Sequence, residues 1–377
     1  MKRAPTLPRC ARCAAPSRGS GLGSADAWGA SALGRPGVGP VSKTNGAALL
    51  TAMITLVLVA TLAAGAAWQQ WRGIAVESAE RSRLQASWIL VGALDWARLI
   101  LREDARNGGA DHLGEPWAVP LQESRLSSFL AADKNNNALL SEQDDANVFL
   151  SGQMQDAQAR LNVYNLIEAG RISSTALAGF AKLFDLLNLN PAELANMAEN
   201  LRFASDLSPD NRSGAQAALL PQRLEQLTLL GLSSSSLERL KPFIIWLPSR
   251  TPVNVNTASA EVLYASAPTL ELSDAQKIVS ERSRQHFKNL AELSAVVPNL
   301  AGQFNEGQHS VATRYFEVTG RLRIADGAAS MVVIERSVVQ RDGLDVKTLW
   351  RERGSFPIAP GGLRADELPQ AGNASPR

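Results

Sequence analysis

Hydrophobic positions fall into three successive patterns along the chain. Between Lys43 and Arg72 stand 28 consecutive uncharged residues, centred on AALLTAMITLVLVATLAAGAAW (Ala47 to Trp68). A helix needs about 20 apolar residues to cross the hydrocarbon core, so the run is long enough for one span. A soluble core helix would carry a polar stripe, and this run carries none. Beyond Trp68 the pattern turns amphipathic: Leu90, Leu94, Ala97 and Leu101 recur at three- and four-residue spacing, with Arg98, Arg102 and Glu103 turned away. One helix is predicted over 47–107, roughly 90 Å long at 1.5 Å per residue. It spans the membrane over 47–68, and Gly108-Gly109 stops it.

The next stretch, DHLGEPWAVPL (Asp111 to Leu121), holds Gly114, Pro116 and Pro120, which forbid a long element. From about 125 to 310 the pattern is one of short helices with polar connections. Two segments there echo each other. DAQARLNVYNLIEAG and PVNVNTASAEVLYASA each place a turn (Asn162 to Asn165, Asn254 to Thr257) before an expected amphipathic helix, with Asn as cap. From Tyr315 the period becomes two. YFEVTGRLRIAD, AASMVVIERSVVQRD and DVKTLWRERG, parted by Asp326-Gly327 and Asp342-Gly343, predict a three-stranded antiparallel meander. Residues 355–377 hold four Pro and little apolar content, which predicts a disordered tail.

Charge sharpens this division. Residues 1–46 carry seven basic side chains (Lys2, Arg3, Arg9, Arg12, Arg18, Arg35, Lys43) against Asp26 alone. The rest carries 31 basic and 35 acidic groups, a slightly acidic balance that disfavours a phosphate-backbone binder. Basic residues ahead of the span keep the N-terminus cytoplasmic, and Trp68 and Trp71 suit the interfacial aromatic belt. With 377 residues, 45% of them hydrophobic, the chain is neither wholly disordered nor a multi-span membrane protein. Both cysteines, Cys10 and Cys13, lie in the N-terminal stretch, so a chain cut after it has none.

Candidate chemistry is sparse. There is no Gly-rich phosphate loop, G-x-S-x-G elbow or H-E-x-x-H pair, so no enzyme is expected. Glu103, Asp104, Asp144 and Asp145 are expected on solvated helix faces. Asp133, Asn135, Asn137, Ser141 and Asp144 match the 1-3-5-9-12 spacing of a calcium loop, although Ala138 replaces the turn glycine and Asp144 the bidentate Glu. A polar helix–helix connection is the other reading. The segment Val253 to Leu293 resembles helix-hairpin-helix modules of competence proteins. Its connection SAPTLELSDAQKI has no glycine and two acids, Glu271 and Asp274. Such modules need glycine to bring backbone N–H groups against a phosphate, so nucleic acid is not expected as a partner.

Lys43-Thr44-Asn45-Gly46 followed directly by Ala47-Ala48-Leu49-Leu50 resembles the processing site of type IV prepilins and pseudopilins. With LDWARLILREDARN, DHLGEPWAVPL and DAQARLNVYNL, the chain resembles the K class of type II secretion minor pseudopilins. That resemblance implies cleavage by a prepilin peptidase between Gly46 and Ala47, with methylation of the new N-terminus. It implies an α+β pilin-like fold: a leader (1–46), a long helix (47–107), a β head (108–124 and 311–354) and an inserted all-α domain (125–310). The leader is long for this family, and a start near Val38 or Val41 is expected. The resemblance further implies a single-pass inner-membrane protein with a periplasmic C-terminal domain. Implied partners are the I and J class minor pseudopilins, the major pseudopilin and the inner-membrane assembly platform. The implied role is at the pseudopilus tip, initiating assembly for export of folded proteins; calcium is the one cofactor it suggests. Thr51, the fifth mature residue, stands where most relatives carry Glu, and its hydroxyl is expected to bond to Ala47 or Ala48. The alternative is a membrane-anchored DNA receptor built on the helix-hairpin-helix segment.

Overall fold

The computed structural model describes residues 45–131, 147–206, 218–300, 302–326 and 329–354. The leader through Thr44, the candidate calcium loop and the tail from 355 lie outside the described residues. The chain divides after Gly73 into two units.

The first unit contains the start of α1 (Asn45–Asn107), and residues 47–73 of it are exposed all round. Among the described residues, α1 is the one helix long and apolar enough to cross a membrane. Side chains that are apolar on every face have no burial to gain in water, which matches lipid as their solvent.

In the second unit α1 continues as an amphipathic element. Ala86, Leu90, Leu94, Ala97 and Leu101 form one buried stripe, as their spacing predicts. Arg98 and Arg102 differ from expectation. They do not turn away but donate through Nε to the carbonyls of Val346 (2.8 Å) and Leu344 (3.1 Å), pinning the last hairpin to the helix. The helix stops at Asn107 because Gly108 and Gly109 take φ of +64° and +117°.

After α1 come β1 (Leu121–Arg125), α2 (Leu126–Ala131) and β2 (Val148–Asp156). Three two-residue strands follow: β3 (Leu161–Asn162), β4 (Ile167–Glu168) and β5 (Arg171–Ile172). Helices α3 (Ser174–Leu186), α4 (Pro191–Ser205) and α5 (Ser234–Leu240) precede the short strands β6 (Ile244–Ile245) and β7 (Val253–Asn254). Then come α6 (Ala260–Ser266), α7 (Leu272–Arg284), α8 (Leu290–Val296) and the short strand β8 (His309–Ser310). The chain closes on the long strands β9 (Tyr315–Asp326), β10 (Ala329–Asp342) and β11 (Asp345–Gly354).

The predicted meander is present, but the sheet has five strands, in the antiparallel order β1-β2-β9-β10-β11. This corrects the expected all-α stretch of 125–310, which contains the interior strand β2. Gly152 and interspersed Gln dilute its alternation. Glycine is needed there, since a Cβ at Gly152 would come 2.9 Å from the Thr319 carbonyl. A second correction concerns the echoed turns. Asn254 does precede helix α6, but Asn162 leads into a 3-10 turn and the β4–β5 hairpin.

One face of the sheet, carrying Leu150, Phe316, Val318, Leu322 and Val339, is buried under α1. The other faces the helical region, whose own core gathers Phe184, Met197, Leu201, Leu227, Leu263, Ile278 and Leu293. The fold is therefore α+β, a sheet between one long helix and a helical insertion.

Candidate assembly site

Two places bear on assembly: the start of α1 and the junction joining head to insertion. At the first, Gly46 and Ala47 lie in the opening turn of α1. Thr51 Oγ1 donates to the carbonyls of Ala47 and Ala48, both at 3.0 Å, so its hydroxyl is satisfied within the helix as expected. Asp133, Asn135, Asn137 and Asp144 lie outside the described residues, and no ligand geometry can be attached to them.

The junction centres on Asp156, at the end of β2, whose carboxylate is fully buried. It accepts from Gln158 N (2.7 Å), Asn254 Nδ2 (2.8 Å), Thr257 Oγ1 (2.6 Å) and Thr313 Oγ1 (2.6 Å). Burial pushes its pKa up, and these four donors pull the other way. Asn254 also donates to the Asp111 carbonyl at 3.2 Å, while Gln158 bridges the Pro252 carbonyl and Arg314 N–H. The sequence blocks DHLGEPW, DAQAR and VNVNT thus converge on one buried polar knot. It fixes where the chain leaves the sheet and where it returns.

Beside the knot, Arg341 bonds to Asp104 and Asp111, both at 2.5 Å. Asp104 is therefore not on a solvated helix face: its side chain is 12% exposed and paired. Glu115 completes an acidic group with these two, their oxygens within 4.8 Å of one another. Its Oε2 accepts from His112 N (2.9 Å) and Trp117 Nε1 (2.7 Å), and burial pushes its pKa up to about 7. The cation among these acids is already supplied by Arg341. Against the same corner His112 stacks on His286 of the α7–α8 connection, ring centres 3.7 Å apart and 7° from parallel.

A second contact between head and insertion is ionic. Glu317 of β9 pairs with Arg160 at 2.5 Å and Arg336 at 3.8 Å. Arg336 reaches Glu225 (3.5 Å) and Glu352 (3.6 Å), and Glu352 pairs with Arg223 at 2.9 Å. Burial would raise the Glu317 carboxyl, but Arg160 and then Arg336 hold it below its ordinary value. Sequence analysis missed Asp156, Arg341 and this ladder as functional residues. The only signal was the density of polar residues in the quoted blocks.

The helix-hairpin-helix resemblance also meets its test here. The connection between α6 and α7 turns carbonyls, not N–H groups, toward its occupied side: Ala267, Pro268 and Leu270 all accept from Lys182. That side of the connection is therefore built to face a cation.

The chain resembles known proteins. The family model described as type II secretion system (T2SS), protein K, matches residues 253–312, the segment holding α6 to α8 with Asn254 and Thr257 of the knot. Type II secretion system protein K of Pseudomonas aeruginosa is 27% identical over 340 residues, covering 83% of this chain and 95% of its own. That of Pectobacterium carotovorum is 26% identical, covering 84% and 98%. The chain is thus similar to protein K of type II secretion over most of its length. The protein K of Klebsiella pneumoniae is 28% identical over 66% of this chain. The fold of the present chain is similar to that of a chain in the crystal structure of the GspK–GspI–GspJ complex from the enterotoxigenic Escherichia coli type 2 secretion system. That match has a TM-score of 0.56 at 18% identity and covers 74% of this chain and 99% of the other.

Proposed function

We propose that this chain is a minor pseudopilin seated at the tip of the periplasmic pseudopilus, in complex with the I and J class minor pseudopilins. It helps initiate assembly of the filament that drives folded proteins across the outer membrane, a structural and not an enzymatic task. The observation that carries this reading is α1 itself. One helix is apolar on all faces over 47–68 and amphipathic over 86–101, where it lies on an antiparallel sheet. That division suits a subunit drawn from the inner membrane into a filament. The leader is cut after Gly46 by a prepilin peptidase, and the major pseudopilin and the assembly platform are the partners on the base side.

Placement at the tip rests on Thr51. In subunits that follow another, a Glu at this position can pair with the preceding N-terminus, offsetting the cost of burying both. A first subunit has no predecessor, and a lone carboxylate would be costly in an apolar environment. The Thr51 hydroxyl needs no partner beyond its own helix. N-terminal sequencing of the mature protein should begin at Ala47, and photo-crosslinkers placed near Thr51 should trap pseudopilins on the base side only. Crosslinks on both sides would remove the tip placement. The reading extends to calcium held by Asp133, Asn135, Asn137 and Asp144; identical melting with and without chelator would reject it.

A further inference from the structure

Lys182, on α3, ends in a shell of backbone oxygens. Its ammonium donates to the carbonyls of Ala267 (2.8 Å), Leu270 (2.9 Å) and Pro268 (3.3 Å). It also stands 4.0 Å from the centre of the Tyr264 ring, whose face attracts a cation. The oxygens come from the connection between α6 and α7, just beyond the last residue of α6, and three carbonyl dipoles converging there concentrate negative partial charge.

The approach is built into α3. Gly179, one turn earlier, lies so close to α6 that a Cβ there would meet the Ala265 carbonyl at 2.6 Å. Glycine lets the two helices touch, and that contact sets the Lys182 amine above the connection. No carboxylate takes part directly; Glu271 acts only through its charge, and burial draws the amine below its ordinary pKa. A shell of neutral carbonyls and a ring face suits a weakly hydrated monovalent cation, as carbonyl-lined potassium sites do. It does not suit a divalent ion, which demands carboxylates.

We propose that the α6–α7 connection is a monovalent-cation site whose resident cation is the chain's own Lys182 ammonium, and that without this amine it accepts potassium or ammonium. The tethered cation holds α3, α6 and α7 in register, as an exchangeable ion would, without dependence on the surrounding salt.

The test compares Lys182→Ala with the unaltered full chain, both in detergent micelles, in chlorides of potassium, ammonium, lithium and choline at equal ionic strength. In lithium or choline the variant should melt lower by about 4–8 °C, as expected for losing hydrogen bonds to a charged group. Potassium or ammonium should restore about half of that loss, while the unaltered chain should vary by less than about 1 °C among the four salts. A variant melting at the same temperature in all four overturns the proposal. Should the variant fail to fold, reductive methylation of the unaltered chain decides. Lys182 should react roughly tenfold more slowly than Lys288, because its amine must first leave a charged hydrogen bond. Lys288 is exposed, and equal rates for the two amines would overturn the proposal as well.

Discussion

Under α1 the sheet presents Leu150, Phe316, Val318, Leu322 and Val339, whereas its opposite face offers Glu317, Arg336 and Glu352 to the helical region. The first contact gains its free energy from area removed from water, which is non-directional and does not depend on the screening of charges. The second gains little net energy from each ion pair, because desolvation offsets attraction. What it contributes is a fixed orientation, since a shift of one residue would misalign every pair. The opposite face also buries Tyr315 and Val338 against Ile245 and Leu247, so burial acts on both sides and the ladder adds orientation on the side of the insertion.

The largest effect should come from the apolar face. Leu101 is 0% exposed, and Leu101→Ala should cost about 2–5 kcal/mol, as core truncations of this kind do. Thermal melting of the full chain in micelles checks this. A loss below about 1 kcal/mol would mean that α1 is not held by burial.

These two faces also differ in how far the sequence revealed them. The stripe Leu90, Leu94, Ala97 and Leu101 was visible because helical period and burial coincide. The meander was visible because its strands alternate and the chain turns at Asp342-Gly343, where Gly343 takes φ of +58°. Strand β2 was hidden, since an interior strand covered on both sides need not alternate cleanly and Gly152 breaks its pattern. The ionic ladder was hidden for another reason. Its members lie far apart in sequence, Arg160 against Glu317 and Arg223 against Glu352, and nothing local in a charged residue says whether it faces water or another charge. The knot around Asp156 sits between these cases. Its blocks stood out as resembling a family, but only the fold shows why: they meet around one buried carboxylate.

An intermediate effect is expected at the ladder. Arg336 is 24% exposed and shared among Glu317, Glu225 and Glu352. Arg336→Ala should cost about 1–2 kcal/mol, more than a surface pair because it leaves Glu317 with Arg160 alone. Exposed charges are screened within about 3 Å at 1 M salt. The gap between variant and unaltered chain should therefore narrow as salt is raised, while the Leu101→Ala gap stays constant. If both gaps respond alike to salt, the division between the two faces is wrong.

The smallest effect concerns pH and the corner where His112 meets His286. Burial, and then the neighbouring His286, hold the His112 pKa below its ordinary 6.5, with Asp104 opposing. The unfolded chain then takes up a proton first, so stability is lost as pH falls through 6.5, and the loss stops growing once the folded imidazole titrates. Glu115 works in the opposite sense. Its folded pKa is raised from 4.5 to about 7, chiefly by burial, so the folded chain protonates first and gains stability as pH falls across that interval. The two contributions oppose each other over the upper part of the range, while His309, held at about 4 by burial, adds a loss as pH falls through 6.5 that is common to the variant and the unaltered chain. His112→Asn separates them. Asn can still accept the Gly114 N–H that His112 Nδ1 takes at 3.1 Å, and the backbone N–H that His112 gives to Glu115 is unchanged. With the imidazole gone its opposing contribution is lost and that of His309 cancels in the comparison, so the variant's melting temperature should climb relative to the unaltered chain as pH is lowered from about 7 to about 5.5. The gap caused by Leu101→Ala should stay flat over that range, since no titrating group is removed. Parallel melting curves for His112→Asn and the unaltered chain would show that the stacked imidazoles do not link head and insertion energetically, leaving that contact to the knot and the ladder.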